Sequence, residues 1–481
     1  MAEGLRTAID KRIGRTVSRS VVAHHRRRLD RVGWLHALDA RDQDWATGVP
    51  PPRRACSLEV LIDGAETFPR IAAELEKAES HVHITGWQFS PEFALTRGAN
   101  PKILRNLLAE IATRVDVRVL AWAGAPLPFF QPSRGSVRDM RDRLCDGTRI
   151  HCALDARERP LHCHHEKTIV IDDRLAFVGG LDLTSEGSDR FDSDAHVARA
   201  RVGWHDVSTL IHGSAVGDVA AHFHMRWNEV TDELLAAPAP TGSKGETEIQ
   251  IVRTVPERIY RALPCGDFGI LESYASALRS AEELIYLENQ FLWSPEITTI
   301  LCDKLRRPPT NRFRLLIVLP SRPNTGMDDT RGTLGELVEA DADGGRLLAC
   351  TLYARHGALS DPVYVHAKVG IVDDSWLTIG SANLNDHSLF NDTEMNVVTR
   401  DPAVARETRL RLWAEHLELS MADVAGDPVS VVEDHWKPVS ADQLARHEAG
   451  RPLTHRLMRL PHVSRRSGRL LGPLQGLLVD G

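Results

Sequence analysis

The pattern His-x-Lys-x4-Asp spans eight residues and occurs twice in this chain, about two hundred residues apart. The first copy lies in "LHCHHEKTIVIDDRLAFVGGLD" (Leu161–Asp182) and the second in "YVHAKVGIVDDSWLTIGSAN" (Tyr364–Asn383). The chain has only eight lysines, so coincidence is a poor explanation for two of them in the same pattern. The repetition predicts a chain built by duplication, and this limits the fold more than any other feature.

Other segments repeat in the same order. "HVHITGWQFSPE" and "LIYLENQFLWSPE" each indicate a buried strand that runs into a loop and ends in the same tripeptide. A segment of helical period precedes each ("TFPRIAAELEKAES", "ILESYASALRSAEE"), and a further strand follows ("VDVRVLAW", "FRLLIVLP"). Alternating helices and strands, twice over, predict an α/β protein with two pseudo-symmetric α/β/α sandwich halves.

Four segments are expected along the chain. A basic N-terminal appendage covers 1–34, the first half 35–240, the second half 241–430 and a basic C-terminal tail 431–481. The joint between the halves is expected in "AAPAPTGSKGE" (Ala236–Glu246), because this stretch is rich in Pro and Gly and poor in large apolar residues.

Charge is unevenly distributed along the chain. Residues 1–34 carry +6 and residues 446–481 carry +5, so a net charge of −7 leaves −18 on the body. An acidic body is unsuited to duplex nucleic acid, which binds a basic face. Basic ends rich in Leu, Ile and Val favour contact with an anionic membrane surface, and solvated helical tails are the alternative.

The seven cysteines are odd in number and scattered, without a C-x-x-C pair. This favours reduced thiols in the cytoplasm over disulfides or a cysteine zinc site. No run approaches the roughly 18 apolar residues of a membrane-spanning helix, and no signal-peptide block follows the N-terminus. A cytoplasmic protein, soluble or peripheral on the membrane, is therefore expected.

The pattern distinguishes His165 from its neighbours, because His162 and His164 have no lysine two positions later. If Lys167–Ile171 is extended, the side chains of His165 and Lys167 face the same side. Two such His–Lys pairs on equivalent strands would meet at an interface between the halves.

These segments resemble the HKD motifs of the phospholipase D superfamily, and most closely the phospholipase D type. "GWQFSPE", "WHDV", "RWN" and "IYLENQF" resemble that subgroup as well, in the same order. The resemblance covers roughly residues 55–430 and implies the phospholipase D fold, with the active site at the interface of the halves.

The resemblance implies a role for each motif residue. One histidine attacks a phosphodiester phosphorus to form a phosphohistidine, and the other serves as acid and base. By analogy His165 is the nucleophile and His366 the acid/base. The groups expected to hold the phosphate oxygens are Lys167, Lys368, Asp182, Asn383 and, as a weaker candidate, Ser381.

Each histidine also needs a carboxylate on its other nitrogen. The resemblance implies Glu394 for the second half and Asp192 for the first, with Asp189 and Asp194 as alternatives because the sequence departs from the usual pattern there. His387 stands where the family usually has Arg. Asp172 and Asp373 complete the motifs and are expected to brace the fold. No metal or cofactor is expected, and the remaining histidines are expected to be structural.

The leading hypothesis is hydrolysis of a glycerophospholipid to phosphatidic acid and an alcohol, with transphosphatidylation as a variant. A cardiolipin synthase, a nuclease acting on nucleic acid and an inactive lipid-binding scaffold are the alternatives. The expected partner is phospholipid at a membrane surface, with no nucleic acid, and the oligomeric state stays open.

Overall fold

The computed structural model of the chain describes residues 2–41, 43–48, 50–126, 131–159, 162–184, 203–239, 242–322, 327–356 and 359–460. The first half contains the helices α1 (Ala2–Val32), α2 (Leu35–Asp39), α3 (Asp63–Glu76), α4 (Leu104–Ile111), α5 (Arg134–Cys145) and α6 (Ala215–Thr231). Its strands are β1 (Arg53–Ile62), β2 (His81–Gly86), β3 (Asp116–Trp122), β4 (His151–Asp155), β5 (Thr168–Ile171), β6 (Leu175–Gly179), β7 (Trp204–His205) and β8 (Val207–His212).

The second half has the same plan with additions at its end. Its strands are β9 (Thr247–Val255), β10 (Asp267–Phe268), β11 (Leu284–Glu288), β12 (Arg314–Val318), β13 (Leu347–His356), β14 (Leu359–Pro362), β15 (Tyr364–Val365), β16 (Val369–Val372), β17 (Trp376–Gly380), β18 (Glu394–Thr399) and β19 (Leu457–Arg459). Its helices are α7 (Gly269–Ser280), α8 (Pro295–Arg306), α9 (Met327–Asp341), α10 (Pro402–Leu417), α11 (Pro428–Val431) and α12 (Lys437–Glu448), with π-helical turns at His387–Asn391 and Val432–Trp436.

The two sheets have matching strand orders. The first runs β4-β3-β2-β5-β6-β8-β1, and the second runs β13-β12-β11-β16-β17-β18-β9. In each sheet the first three strands are parallel and the rest antiparallel. The motif strands β5 and β16 are buried along their whole length, as expected of central strands covered on both faces. The predicted α/β fold with pseudo-symmetric halves is confirmed.

The halves join edge to edge and share a core. β1 pairs with β9, with Arg53 opposite Ile249 and Cys56 opposite Thr247. One apolar cluster combines β5, β6, β8 and α6 with β9 and β18, and its members include Val170, Val178, Ile211, Val219, Ile251 and Val397. Because burying this shared surface stabilises both halves together, their relative position is fixed by packing. In its described residues, the expected joint has no regular structure between α6 and β9.

The basic ends differ from the expectation of appendages. In α1, Leu29 is fully buried and His25 Nδ1 lies 2.8 Å from an oxygen of Glu296. Near the C-terminus, Trp436 is fully buried and β19 pairs with β13. The end of α1 around His25 and Leu29 and the residues from 431 to 460 therefore pack on the second half, because apolar side chains lie among the charged ones. Residues 461–481 lie outside the described ranges. None of the described helices combines the length and the apolar character that crossing a membrane requires.

Candidate active site

The two motif histidines lie just before the central strands, not within them. β5 begins at Thr168 and β16 at Val369, one residue after each motif lysine. The backbone N–H of His165 donates to the Thr393 carbonyl (2.9 Å), and that of His366 donates to the His205 carbonyl (2.8 Å). Each motif is thus tied to the opposite half at the residue that carries its imidazole.

The imidazole of His165 is paired with a carboxylate of the second half. Its Nδ1 lies 2.9 Å from Glu394 Oε1, so Glu394 serves the histidine of the other half. Glu394 also accepts from the hydroxyls of Ser381 and Ser388. Complete burial raises the pKa of Glu394 to about 8, although Lys167 and the two hydroxyls act in the opposite direction.

The imidazole of His366 is paired in the reciprocal way with Asp206, at 2.6 Å between Nδ1 and Oδ2. Asp206 belongs to "WHDV" in the first half and was not among the sequence candidates. The predicted Asp192 and its alternatives Asp189 and Asp194 lie outside the described residues. A signal for Asp206 existed, because it directly precedes β8 while Glu394 begins β18, the equivalent strand.

The two lysines lie against the backbone of their own motifs. Lys167 Nζ donates to the His165 carbonyl at 2.5 Å and lies 3.3 Å from Asp182 Oδ2. Asp182 is held in turn by the backbone N–H groups of Trp87 (2.9 Å) and Gln88 (3.2 Å). The predicted Asp182 is therefore beside Lys167.

In the second half, the groups beside the motif lysine are neutral: Asn383 takes the place of Asp182, and Gln290 lies next to it. Lys368 Nζ donates to the His366 carbonyl and, at 3.2 Å, to Gln290 Oε1. Asn383 Nδ2 donates to the same oxygen of Gln290 at 3.3 Å. The structure thus brings the predicted Lys368 and Asn383 together through Gln290, a residue of "IYLENQF" that the sequence analysis did not single out.

The motif aspartates lie at the far end of their strands. The Asp172 carboxylate accepts from the backbone N–H groups of Glu79, Ser80 and His81. The Asp373 carboxylate accepts from those of Glu282, Glu283 and Leu284 in the same way. Both aspartates and their successors, Asp173 and Asp374, adopt φ values of 50° to 56° in the turns that follow. These carboxylates tie the motif turn to the start of the neighbouring strand, as expected of bracing residues.

A buried ionic network lies behind Asp206. His205 Nδ1 lies 2.9 Å from Asp63 Oδ1, and its Nε2 lies 2.7 Å from Glu288 Oε2. Glu288 is also 2.8 Å from His416 Nε2. Burial lowers the pKa of His205, but the charges of Glu288 and Asp63 outweigh it and hold the pKa well above its usual value. The Asp206 N–H donates to Asp63, so this network anchors the carboxylate that orients His366.

Aromatic rings border both histidines. The ring of Trp204 lies 4.5 Å from that of His366, and the ring of Trp87 lies 6.3 Å from that of His165, measured between centroids. Both tryptophans are buried, with 7% and 8% of their surface exposed. The site thus combines two oriented imidazoles and two ammonium groups in surroundings with little access for water, which strengthens their electrostatic interactions.

Comparisons with known proteins agree with this architecture. A family model described as "Cardiolipin synthase, PLD-like domain" matches residues 274–414. Phospholipase D A of Dictyostelium discoideum is 27% identical over 474 residues, covering 77% of this chain and 36% of that protein. The major cardiolipin synthase ClsA of Bacillus subtilis is 23% identical over 365 residues, covering 73% of this chain and 67% of that protein.

A solved structure shows the same fold. The crystal structure of phosphatidylserine synthase from Haemophilus influenzae aligns with a TM-score of 0.51 and 14% identity, covering 82% of this chain and 93% of that one. The match spans only about a third of the length of the Dictyostelium and Schizosaccharomyces pombe phospholipases D, 36% in each case. The duplicated motifs, the matching sheets and these similarities support the phospholipase D superfamily as the one that this chain resembles.

Proposed function

We propose that this chain is a phospholipase D, which hydrolyses a glycerophospholipid to phosphatidic acid and a free headgroup alcohol. The observation that carries the proposal is the reciprocal pairing of the two motif histidines, His165 with Glu394 and His366 with Asp206. In each pair a carboxylate binds Nδ1, fixes the tautomer and assigns Nε2 to the reaction. Two such imidazoles suit a displacement at phosphorus that needs a nucleophile and a separate proton donor.

In the proposed first step, Nε2 of His165 attacks phosphorus and the bond from phosphorus to the headgroup oxygen breaks. His366 gives its Nε2 proton to the departing alkoxide, so the alcohol leaves neutral. The product of this step is a phosphatidyl-histidine. Lys167 and Lys368 stabilise the negative charge on the non-bridging oxygens, assisted by the amide of Asn383.

In the second step, His366 removes a proton from water as the water oxygen attacks the same phosphorus. The bond from phosphorus to Nε2 of His165 breaks, which releases phosphatidate and returns His165 to its neutral form and His366 to the protonated form in which it began. An alcohol in place of water gives a transphosphatidylation product by the same route. The assignment of His165 as nucleophile follows the family resemblance, and trapping of the covalent phosphoenzyme tests it.

A product assay tests the proposed function. Purified full-length chain is incubated with vesicles of phosphatidylcholine, phosphatidylethanolamine or phosphatidylglycerol, and the lipids are analysed by mass spectrometry. We expect phosphatidic acid and the free alcohol, and a phosphatidyl-alcohol when a short primary alcohol is added. Lack of any phosphatidic acid from all three lipids, with the His165→Asn variant as baseline, would contradict the proposal.

A cardiolipin synthase is the second candidate, favoured by the description of the matching family model and by the Bacillus subtilis relative. The chemistry differs only in the acceptor, which would be the headgroup hydroxyl of a second phosphatidylglycerol. The same assay separates the two: cardiolipin and glycerol from phosphatidylglycerol alone indicate the synthase, whereas phosphatidic acid indicates the hydrolase.

We also propose that the basic face of α1 contacts anionic lipid. Arg19, Arg27 and Arg31 are exposed, whereas Arg28 of the same helix is buried against Glu257. Each exposed Arg near an anionic membrane surface contributes about 1 kcal/mol to the free energy of membrane binding. Changing Arg19 and Arg27 to Glu should weaken sedimentation with phosphatidylglycerol vesicles and spare turnover of a soluble short-chain substrate. Unchanged sedimentation would exclude this face as the lipid contact.

A further inference from the structure

We propose that His162, His387 and Asp392 form a binding site for a divalent transition-metal ion, with Zn²⁺ the best chemical match, at the junction of the two halves. The site lies outside the phosphodiester chemistry proposed above. It also revises the expectation from sequence that histidines other than those of the motifs are structural and that the chain binds no metal.

The three side chains present ligand atoms at suitable separations. His162 Nδ1 lies 3.0 Å from His387 Nδ1 and 3.4 Å from Asp392 Oδ1. His387 Nδ1 lies 4.0 Å from Asp392 Oδ2. Zinc binds imidazole nitrogen and carboxylate oxygen at about 2.0–2.2 Å, so ligands at tetrahedral angles are about 3.4 Å apart. One ligand atom of each residue lies within 4.8 Å of those of the other two, so small rotations of the three side chains would direct them at one ion.

The carboxylate of Asp392 supports the presence of a ligand independently. Asp392 is completely buried, and its Oδ1 accepts from the backbone N–H of Cys163 at 2.8 Å. Its other oxygen, Oδ2, is buried without a hydrogen-bond partner among the described residues. A buried acceptor left unsatisfied costs about 1–3 kcal/mol, and a bound cation would remove this cost.

The donor set also indicates the class of metal. Two imidazole nitrogens and one carboxylate oxygen are typical of zinc and related transition metals, whereas Mg²⁺ and Ca²⁺ prefer oxygen ligands alone. Three protein ligands leave a fourth position for water. His162 is 15% exposed at its side chain, while His387 and Asp392 are almost fully buried, so solvent reaches the cluster from the side of His162.

The cluster is coupled to the catalytic centre through the backbone. Cys163 N donates to Asp392, Thr393 N donates to the Cys163 carbonyl, and His165 N donates to the Thr393 carbonyl. His162 belongs to the first half, and the other two ligands belong to the second. An ion held here would therefore fix the two segments that carry His165 and Glu394 against each other.

Metal binding by the full-length chain tests the proposal. Chelator-stripped protein is titrated with Zn²⁺ alone by calorimetry, and with Co²⁺ to detect the visible bands of a tetrahedral site. We expect one equivalent that is lost or weakened at least about tenfold in His162→Gln and in Asp392→Asn. His151→Gln, a substitution of an exposed histidine on β4, should bind as the wild type does.

Thermal unfolding supplies a second readout that does not depend on lipid turnover. Zn²⁺ should raise the Tm of the wild type and of His151→Gln, but not that of His162→Gln, because a ligand that binds only the folded state stabilises it. Absence of Zn²⁺ binding by the wild type, or equal affinity in the wild type and both ligand variants, would overturn the proposal. Neither result would affect the assignment of phospholipase D activity.

Discussion

In the second half, Glu394 accepts from His165 while two serine hydroxyls donate to it. In the first half, Asp206 accepts from His366 beside Gly180, the residue equivalent to Ser381. A Cβ at Gly180 would meet Asp206 Oδ1 at 2.2 Å. The shorter carboxylate thus approaches the backbone where the longer one is held by hydroxyls. Duplication conserved the pairing geometry but left two different environments, which allows the two imidazoles to take different roles.

The largest expected effect distinguishes those roles. His165→Asn and His366→Asn should each lower turnover of phosphatidylcholine by at least about 10³-fold, because each removes a group that acts directly at phosphorus. With an activated ester, whose leaving group needs no proton, only His366→Asn should accumulate the covalent phosphoenzyme, seen as added mass on His165. Accumulation in His165→Asn instead would reverse the assignment of nucleophile.

Replacing the carboxylates that bind the two histidines should have the next largest effect on turnover. Glu394→Gln and Asp206→Asn keep the side-chain size but no longer favour an Nδ1–H tautomer, so kcat should fall by about 10²–10⁴-fold with a smaller change in KM. Steady-state kinetics on a soluble short-chain substrate measures both constants. Glu110→Gln, an exposed position on α4, is the matched control. An unchanged kcat in either variant would show that its pairing with histidine has no role in turnover.

Exchanging the residues beside the carboxylates sharpens the comparison. Gly180→Ser introduces atoms into space that Asp206 occupies, so kcat/KM should fall by about ten- to a hundredfold. Ser381→Gly removes a donor to Glu394 and the acceptor of the Met395 N–H, without adding atoms near the carboxylate, and should cost less than about tenfold. Kinetics with a Tm measurement for each variant separates misplacement from unfolding. Equal losses in the two variants would contradict the inferred difference in crowding.

Of the two carboxylates that bind the motif histidines, Glu394 was predicted from the sequence and Asp206 was not. The α/β fold with two halves, and the expectation that the two His–Lys pairs meet between them, follow from periodicity and duplication, which are local or repeated signals. Asp206 was missed because three other acids, Asp189, Asp192 and Asp194, were candidates in a stretch whose sequence departs from the family pattern. The reciprocal pairing of His165 with Glu394 depends on how two sheets join, which sequence spacing does not encode. Gly180 is the residue in the sequence that reflects this contact, since only glycine leaves room for the carboxylate of Asp206.

Asp172 and Asp373, which hold equivalent turns in the two halves, test whether these turns contribute equally to stability. Asp172→Asn and Asp373→Asn each replace a carboxylate that accepts from three backbone N–H groups with a neutral amide, which is a weaker acceptor. Each substitution should therefore lower the free energy of unfolding by about 1–3 kcal/mol. Urea unfolding of both variants measures this directly. A loss confined to one half would show that the duplicated turns do not contribute equally to stability.

The last expected effect depends on pH and concerns His205, which precedes Asp206 as Thr393 precedes Glu394. Burial lowers the pKa of His205, but the charges of Glu288 and Asp63 outweigh burial and hold this pKa well above 6.5, which favours the protonated form in the folded state. In the unfolded chain it loses that proton above about pH 6.5, so unfolding then releases a proton and stability falls as pH rises. The stabilising contribution is complete below pH 6.5 and is lost as the pH rises through the folded pKa.

Urea unfolding from pH 5.5 to 8.5 measures this loss as the difference in free energy of unfolding between the wild type and His205→Thr. Above neutrality the wild type should lose its advantage by up to about 1.4 kcal/mol per pH unit. A constant difference across that range would mean that folding does not shift the pKa of His205, and the two halves would then differ in side-chain packing but not in buried charge.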